Sequence, residues 1–168
     1  MMSFYFIDDD KNITNILKLI VNTRGLGVCC GSAENAAEAL ADLPVMRPDI
    51  VLVDFLMPEM DGISFIKQAK KILPGAAYIM LSQVSSKDMI ASAYEAGVEF
   101  FIQKPINSVE VESIIRKVSD GLSMKRMVQQ MHNIFTPDTN KSSVSKSANE
   151  QQIEANLRTI LTRLGIIG

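Results

Sequence analysis

Short continuous apolar runs alternate along this chain with stretches in which apolar residues recur every three or four positions. The runs are Phe4-Tyr5-Phe6-Ile7, Val28-Cys29-Cys30, Ile50-Val51-Leu52-Val53, Tyr78-Ile79-Met80-Leu81 and Phe100-Phe101-Ile102. Each has strand length and is bounded by turn-forming residues, which predicts strands over 3–7, 27–31, 49–54, 77–82 and 99–103. Between them the spacing becomes helical. Ile13, Ile16, Leu17, Ile20 and Val21 form one face of a helix from about Lys11 to Asn22, which Arg24-Gly25-Leu26-Gly27 breaks. Ser32 is the expected N-cap of an Ala-rich second helix ending before Pro44, with Glu34 in its first turn. A third helix is expected from about Ser64 to Leu73, stopped by Pro74-Gly75, and a fourth over 87–96, ended by Gly97. The fifth starts near Asn107 or Ser108, with Glu110 and Glu112 in its first turn.

Five strand-plus-helix units with continuously apolar strands describe an α/β fold. The expected architecture is a five-stranded parallel sheet, doubly wound with helices on both faces. The fifth helix is longer than such a domain needs. Ile114, Val118, Met124, Val128, Met131 and Phe135 extend its stripe to about Phe135, and Gly121 weakens the helix on the way. An isolated helix needs a partner in water. The 121–135 extension is therefore expected to pair with a second copy as a short coiled coil, the alternative being that it folds back on its own domain. Residues 136–150 have the composition of a flexible linker. Residues 151–168 carry Ile153, Leu157, Ile160, Leu161 and Leu164 at helical spacing and read as the start of a truncated further domain.

Composition adds little beyond exclusions. With 168 residues, 47% hydrophobic content and a net charge of −2, a packed core is expected, with no electrostatic case for binding nucleic acid or membrane. Cys29 and Cys30 are adjacent, without metal-knuckle spacing, and read as small buried strand residues. No signal peptide or membrane span is apparent, so a cytoplasmic location is expected.

The chemistry lies at the strand ends. Asp8-Asp9-Asp10 follows the first strand, Asp54 ends the third, Ser82 ends the fourth, and Lys104-Pro105 follows the fifth. Taken singly, the acids read as a solvated helix cap, Ser82 as a turn cap and Lys104-Pro105 as a strand stop. All four groups, however, fall at the same end of strands one, three, four and five, the edge where open α/β sheets bind ligands. Phosphoryl transfer to a carboxylate needs a nucleophile, a hard cation and fixed donors. Asp54 is the expected nucleophile. Asp8 and Asp9, with Asp54 and the backbone carbonyl of Leu56, suit Mg²⁺. Ser82 can donate to a phosphoryl oxygen, and Lys104 can pair with carboxylate or phosphate.

These motifs, Ile7-Asp8-Asp9-Asp10, Val53-Asp54 with Met57-Pro58-Glu59-Met60-Asp61-Gly62, Leu81-Ser82 and Phe101-Ile102-Gln103-Lys104-Pro105, resemble in order and spacing the receiver domain of two-component response regulators, over about residues 2–120. The resemblance implies a sensor histidine kinase as phosphoryl donor to Asp54. It also implies a switch pair, Ser82 and Phe101, and a changed surface on helix four, strand five and helix five, through which a homodimer can form. Two departures stand out: Gln83 replaces a usually small residue, and Leu56 and Val84 stand where water-positioning side chains are common, which implies a long-lived aspartyl phosphate. An aspartyl-phosphate phosphatase would want an acid where Leu56 stands. A phosphate-independent docking module finds support only in Gln83, and a flavin module lacks its phosphate loop. Around Leu157–Ile166 the tail is similar to the first helix of the DNA-binding domain in glutamine-utilisation response regulators. Sporulation response regulators begin their output domain comparably. DNA would then be bound only by the part that is missing, in transcription regulation.

Overall fold

The computed structural model describes residues 1–135 together with Asn156 and Arg163. The 136–150 linker and the helix expected over 151–164 lie outside the described residues, those two positions excepted. Five strands, β1 (Met2–Ile7), β2 (Gly27–Ala33), β3 (Ile50–Asp54), β4 (Ala77–Ser82) and β5 (Phe100–Gln103), form one sheet in the order β2-β1-β3-β4-β5. Every neighbouring pair is parallel. Five helices connect and follow them: α1 (Lys11–Thr23), α2 (Ala36–Met46), α3 (Gly62–Ile72), α4 (Lys87–Ala96) and α5 (Ser108–Phe135). This is the doubly wound α/β sheet with a long last helix that the patterning predicts. Among the described residues no helix is long and apolar enough to cross a membrane.

Strand composition follows from burial on both faces. Phe4 to Ile7, Ile50 to Val53 and Tyr78 to Leu81 are all fully buried. On one face Tyr5, Ile7, Val51, Val53, Tyr78 and Met80 pack with α2, α3 and α4 through Ala39, Leu43, Phe65, Ile66, Ala69 and Ala93. The two deeply buried phenols keep their hydrogen bonds: Tyr5 Oη donates to Asp42 Oδ2 at 2.6 Å and Tyr78 Oη to the Leu73 carbonyl at 2.9 Å. A buried hydroxyl left unpaired would cost about 1–3 kcal/mol.

Several local expectations need correction. Ser32 does not cap a helix: it pairs with Phe6 inside β2, which runs on to Ala33. Asn35 is the cap, its Oδ1 accepting the Glu38 N–H at 2.8 Å. Pro44 does not end α2. The helix continues for two residues and closes with the Arg47 N–H on the Leu43 carbonyl at 2.9 Å, Arg47 having φ 46°. Leu43 is completely buried, and its packing outweighs one missing helical donor. The third helix begins two residues early, because Asp61 is its N-cap, accepting from both Ser64 N–H and Ser64 Oγ at 2.9 Å. On α1, Ile16 is exposed and Thr14 takes the buried position, while Val28 and the two cysteines are exposed or half-buried because β2 is an edge strand.

Residues 1–119 make up one compact unit, and the residues from Asp120 onward belong to a second. Within the latter, Met124, Met127 and Met131 are half-buried and Val128 and Ile134 exposed.

Two glycines should respond oppositely to alanine. At Gly62 an added Cβ would lie 2.7 Å from the Asp54 carbonyl oxygen and 3.0 Å from Phe55 Cα, both backbone atoms, whereas at Gly121 it would meet nothing within 4 Å. Gly62→Ala should lower unfolding stability by about 1–3 kcal/mol, and Gly121→Ala should raise it by roughly 0.5–1 kcal/mol through helix propensity. Urea titrations of both variants decide this; a neutral Gly62→Ala would show that the β3–α3 connection is loosely held.

Candidate functional site: an acidic pocket around Lys104

Strand register brings the four chemical groups to one edge. Ile7 pairs with Val53, so Asp8 emerges beside Asp54, and these two neighbours flank the point where strand order reverses. Asp54 pairs with Leu81, and Ser82 with Gln103. Backbone ladder bonds continue past the strand ends and fix where each loop starts. Asp8 N–H donates to the Ala33 carbonyl at 3.2 Å, Phe55 N–H to Leu81 at 2.8 Å, and Lys104 N–H to Ser82 at 2.8 Å. The geometry is set by the sheet before any side chain is considered.

The acidic run divides its labour. Asp10 is the cap of α1, its Oδ1 accepting the Asn12 N–H at 2.9 Å, while Asp8 turns inward and accepts the Asp10 N–H at 2.9 Å. Asp8, Asp9 and Asp54 each place a carboxylate oxygen within 4.8 Å of the others. Asp8 and Asp54 are buried and Asp9 is exposed. Lys104 Nζ lies 2.8 Å from Asp8 Oδ2 and 3.4 Å from Asp54 Oδ1, with its side chain nearly buried. These four predicted residues are thus together.

Electrostatics record the crowding. Burial raises the Asp54 pKa to about 6, the Asp8 charge adding to it and Lys104 and the Leu56 N–H opposing it. Burial also raises Asp8, against the pull of Lys104 and the Asp10 N–H. Burial works against the Lys104 charge as well, but the two carboxylates outweigh it and hold its pKa above the ordinary lysine value. Two buried carboxylates and an exposed third facing one ammonium leave negative charge in excess. That donor set, all oxygen and partly open to solvent through Asp9, fits a hard divalent cation.

The other predicted residues surround this pocket. Ser82 is wholly buried at the end of β4, and its Oγ accepts the Val84 N–H at 3.0 Å. Phe101 is half-buried and packs against the core cluster under α4. Leu56 offers its backbone N–H to Asp54, and its side chain is 56% exposed. Val84 and Gln83 are exposed too. Sequence reading missed one contact at this edge: Gln103 Nε2 donates to Ser85 Oγ at 3.3 Å, linking β5 to the β4–α4 loop. No spacing signal marks it, because one partner ends β5 and the other lies in the β4–α4 loop, 18 residues away.

A parallel sheet with an acidic cluster at its switch point is the arrangement of an α/β domain that binds at the carboxyl ends of its strands. The chain belongs to the response regulator receiver domain family, whose model matches residues 4–116. It is 31% identical over 172 aligned residues to the transcriptional regulatory protein GlnL of Bacillus subtilis, covering 99% of this chain and 54% of that protein. It thus spans about half of that relative's length. The chemotaxis protein CheY of Thermotoga maritima is 38% identical over 67% of this chain and 93% of its own. A CheY-like receiver domain from Methanospirillum hungatei superposes with a TM-score of 0.70 at 26% identity, over 74% of this chain and 98% of the other.

The crowding predicts an inverted pH dependence. Asp54 titrates near 3.8 in the unfolded chain and near 6 in the fold, so the folded state retains a proton that the unfolded chain releases. The stability this group contributes is complete below about pH 4 and is lost as pH rises through 6. Without divalent cations, Asp54→Asn should therefore stabilise the protein at pH 7.5 by about 2–3 kcal/mol, the gain falling to about 1 kcal/mol at pH 4.5. Chemical denaturation at the two pH values checks it; equal gains would remove the charge-crowding account.

Proposed function

We propose that Asp54 accepts a phosphoryl group from a sensor histidine kinase and that its phosphorylation switches a DNA-binding output domain of a longer transcriptional regulator. The observation that carries this reading is Lys104 bridging Asp8 and Asp54 in a buried, oxygen-rich pocket. One Asp54 oxygen attacks phosphorus, the bond from phosphorus to the donor histidine nitrogen breaks, and the ring nitrogen leaves with its electron pair. With a pKa near 6, Asp54 is ionised at neutral pH and available as the nucleophile. Asp8, Asp9, Asp54 and the Leu56 carbonyl would hold Mg²⁺, which supplies charge neutralisation for the phosphoryl oxygens. Lys104 pairs with the growing negative charge, and Ser82 donates to a phosphoryl oxygen, with Phe101 responding one strand away.

Alignment with GlnL across nearly the whole chain supports the transcriptional role, since it extends past the receiver family's limits at residue 116. A cytoplasmic setting follows from a kinase partner of this kind. A second copy is the partner assigned to the α4–β5–α5 face or to the α5 extension, where Met124, Met127, Met131 and Ile134 recur at spacings of three and four.

Incubation with acetyl phosphate and Mg²⁺ should add one phosphoryl group by intact mass, absent in Asp54→Asn and in chelator. The labelled protein should sediment as a dimer. No adduct beside a receiver that labels in parallel would overturn the reading, and a monomer in both states would remove the dimer.

The apolar, exposed Leu56 and Val84 cannot hold a hydrolytic water. The adduct should therefore be long-lived, and Leu56→Asn should shorten its half-life several-fold in a mass time course. Equal lifetimes would sink that idea.

A further inference from the structure

The β4–α4 loop is held at two points. Near its start, Ser82 Oγ accepts the Val84 N–H at 3.0 Å. Further along, Ser85 Oγ accepts from Gln103 Nε2 at 3.3 Å. Beyond it Ser86 caps α4, its Oγ accepting the Met89 N–H at 3.3 Å. Ser82 itself is anchored from the other side, since its carbonyl accepts the Lys104 N–H. The loop is thus pinned between two consecutive residues of one segment, Gln103 through its side chain and Lys104 through its backbone.

A hydroxyl that turns to donate into a phosphoryl group on Asp54 gives up the Val84 N–H and so disturbs the loop. That disturbance is resisted where the loop is tied to β5. We propose that Gln103 is a positioning residue: through Ser85 it latches the β4–α4 loop in the arrangement where Ser82 Oγ faces Val84. It thereby sets how readily Asp54 becomes and stays phosphorylated. The Gln103 side chain hydrogen-bonds Ser85 and acts on Asp54 and Ser82 through that loop. The inference rests on the phosphoacceptor reading above.

Both partners of the latch are exposed, so their removal should leave the fold intact. Gln103→Leu removes the donor and leaves an apolar side chain one atom shorter. Ser85→Ala removes the acceptor, and Ser85→Thr keeps the hydroxyl. The readout is the beryllofluoride concentration that half-saturates the protein with Mg²⁺, followed by NMR, together with labelling by acetyl phosphate. Loss of one neutral hydrogen bond should lower the half-saturating concentration by about two- to fivefold in Gln103→Leu and Ser85→Ala. The double variant should go no further than either alone, and Ser85→Thr should match the parent. Melting temperatures report any plain structural effect, which would not be restored selectively by threonine. A parent that labels, with variants that saturate at the parent's concentration or above it, would overturn the latch alone. A parent that neither labels nor binds beryllofluoride would overturn the phosphoacceptor reading and the latch with it.

Discussion

The structure depends on one electrostatic constraint: two buried carboxylates, Asp8 and Asp54, share the ammonium of Lys104. Removing charge from water costs several kcal/mol per group, and a single cation does not fully compensate two anions. Both acids consequently sit above their ordinary pKa, burial being the main cause. The Asp10 and Leu56 N–H groups relieve this only in part. Asp9 adds a third carboxylate at the solvent side, and no other cation comes within ion-pairing distance of the three among the described residues. The pocket is a place where burial of like charges costs stability and leaves negative charge in excess.

Holding such a pocket together requires a rigid floor. The sheet provides it, because its three central strands are apolar on both faces and their parallel register puts Asp8 next to Asp54 with no freedom to slide. Backbone bonds beyond the strand ends extend that rigidity by one residue into each loop. The Asp10 cap then fixes the outgoing direction of α1, so that adjacent acids face different ways. Far from the pocket, a second tie joins the end of α1 to α5: Glu112 pairs with Arg24 at 3.0 Å and with Arg116 at 2.9 Å. Such exposed pairs contribute little energy, and the packing of Val111, Ile115 and Val118 does most of the work there.

Strands and site residues were legible in the sequence for the same reason. A run buried on both faces admits little besides large apolar residues, so a polar residue at its end is conspicuous. Asp54 and Ser82 each end such a run, and Lys104 follows the shorter, half-buried run of β5. Helix boundaries were less legible because the local signals have two meanings. Asp61-Gly62 reads equally as a turn and as an N-cap followed by a first helical residue. Pro44 reads as a stop, and only the burial of Leu43 lets the helix pass it. Ser32 has a capping side chain, yet pairing with β1 claims its backbone first. Within Asp8-Asp9-Asp10 the first two were expected at the cation, and the structure makes Asp10 the cap of α1 while Asp8 meets Lys104 from 96 residues away.

The unequal reach of Lys104 bears on the chemistry proposed for Asp54. The ammonium sits 0.6 Å closer to Asp8 than to Asp54, from 2.8 and 3.4 Å. Each acid also receives one backbone N–H, Asp8 from Asp10 and Asp54 from Leu56, so the shorter Lys104 contact is what sets Asp8 apart as the better-compensated anion. Asp54 keeps more of its charge unanswered, which is what a carboxylate needs if it is to attack phosphorus. A group with a pKa far below neutrality would be ionised but weakly nucleophilic, and one far above would be protonated. At about 6 it is charged at physiological pH and still basic. Lys104 thus discriminates between two chemically identical side chains by geometry alone. Both acids must be buried for that discrimination to operate, so the crowding that destabilises the pocket and the reactivity proposed for Asp54 would have one origin.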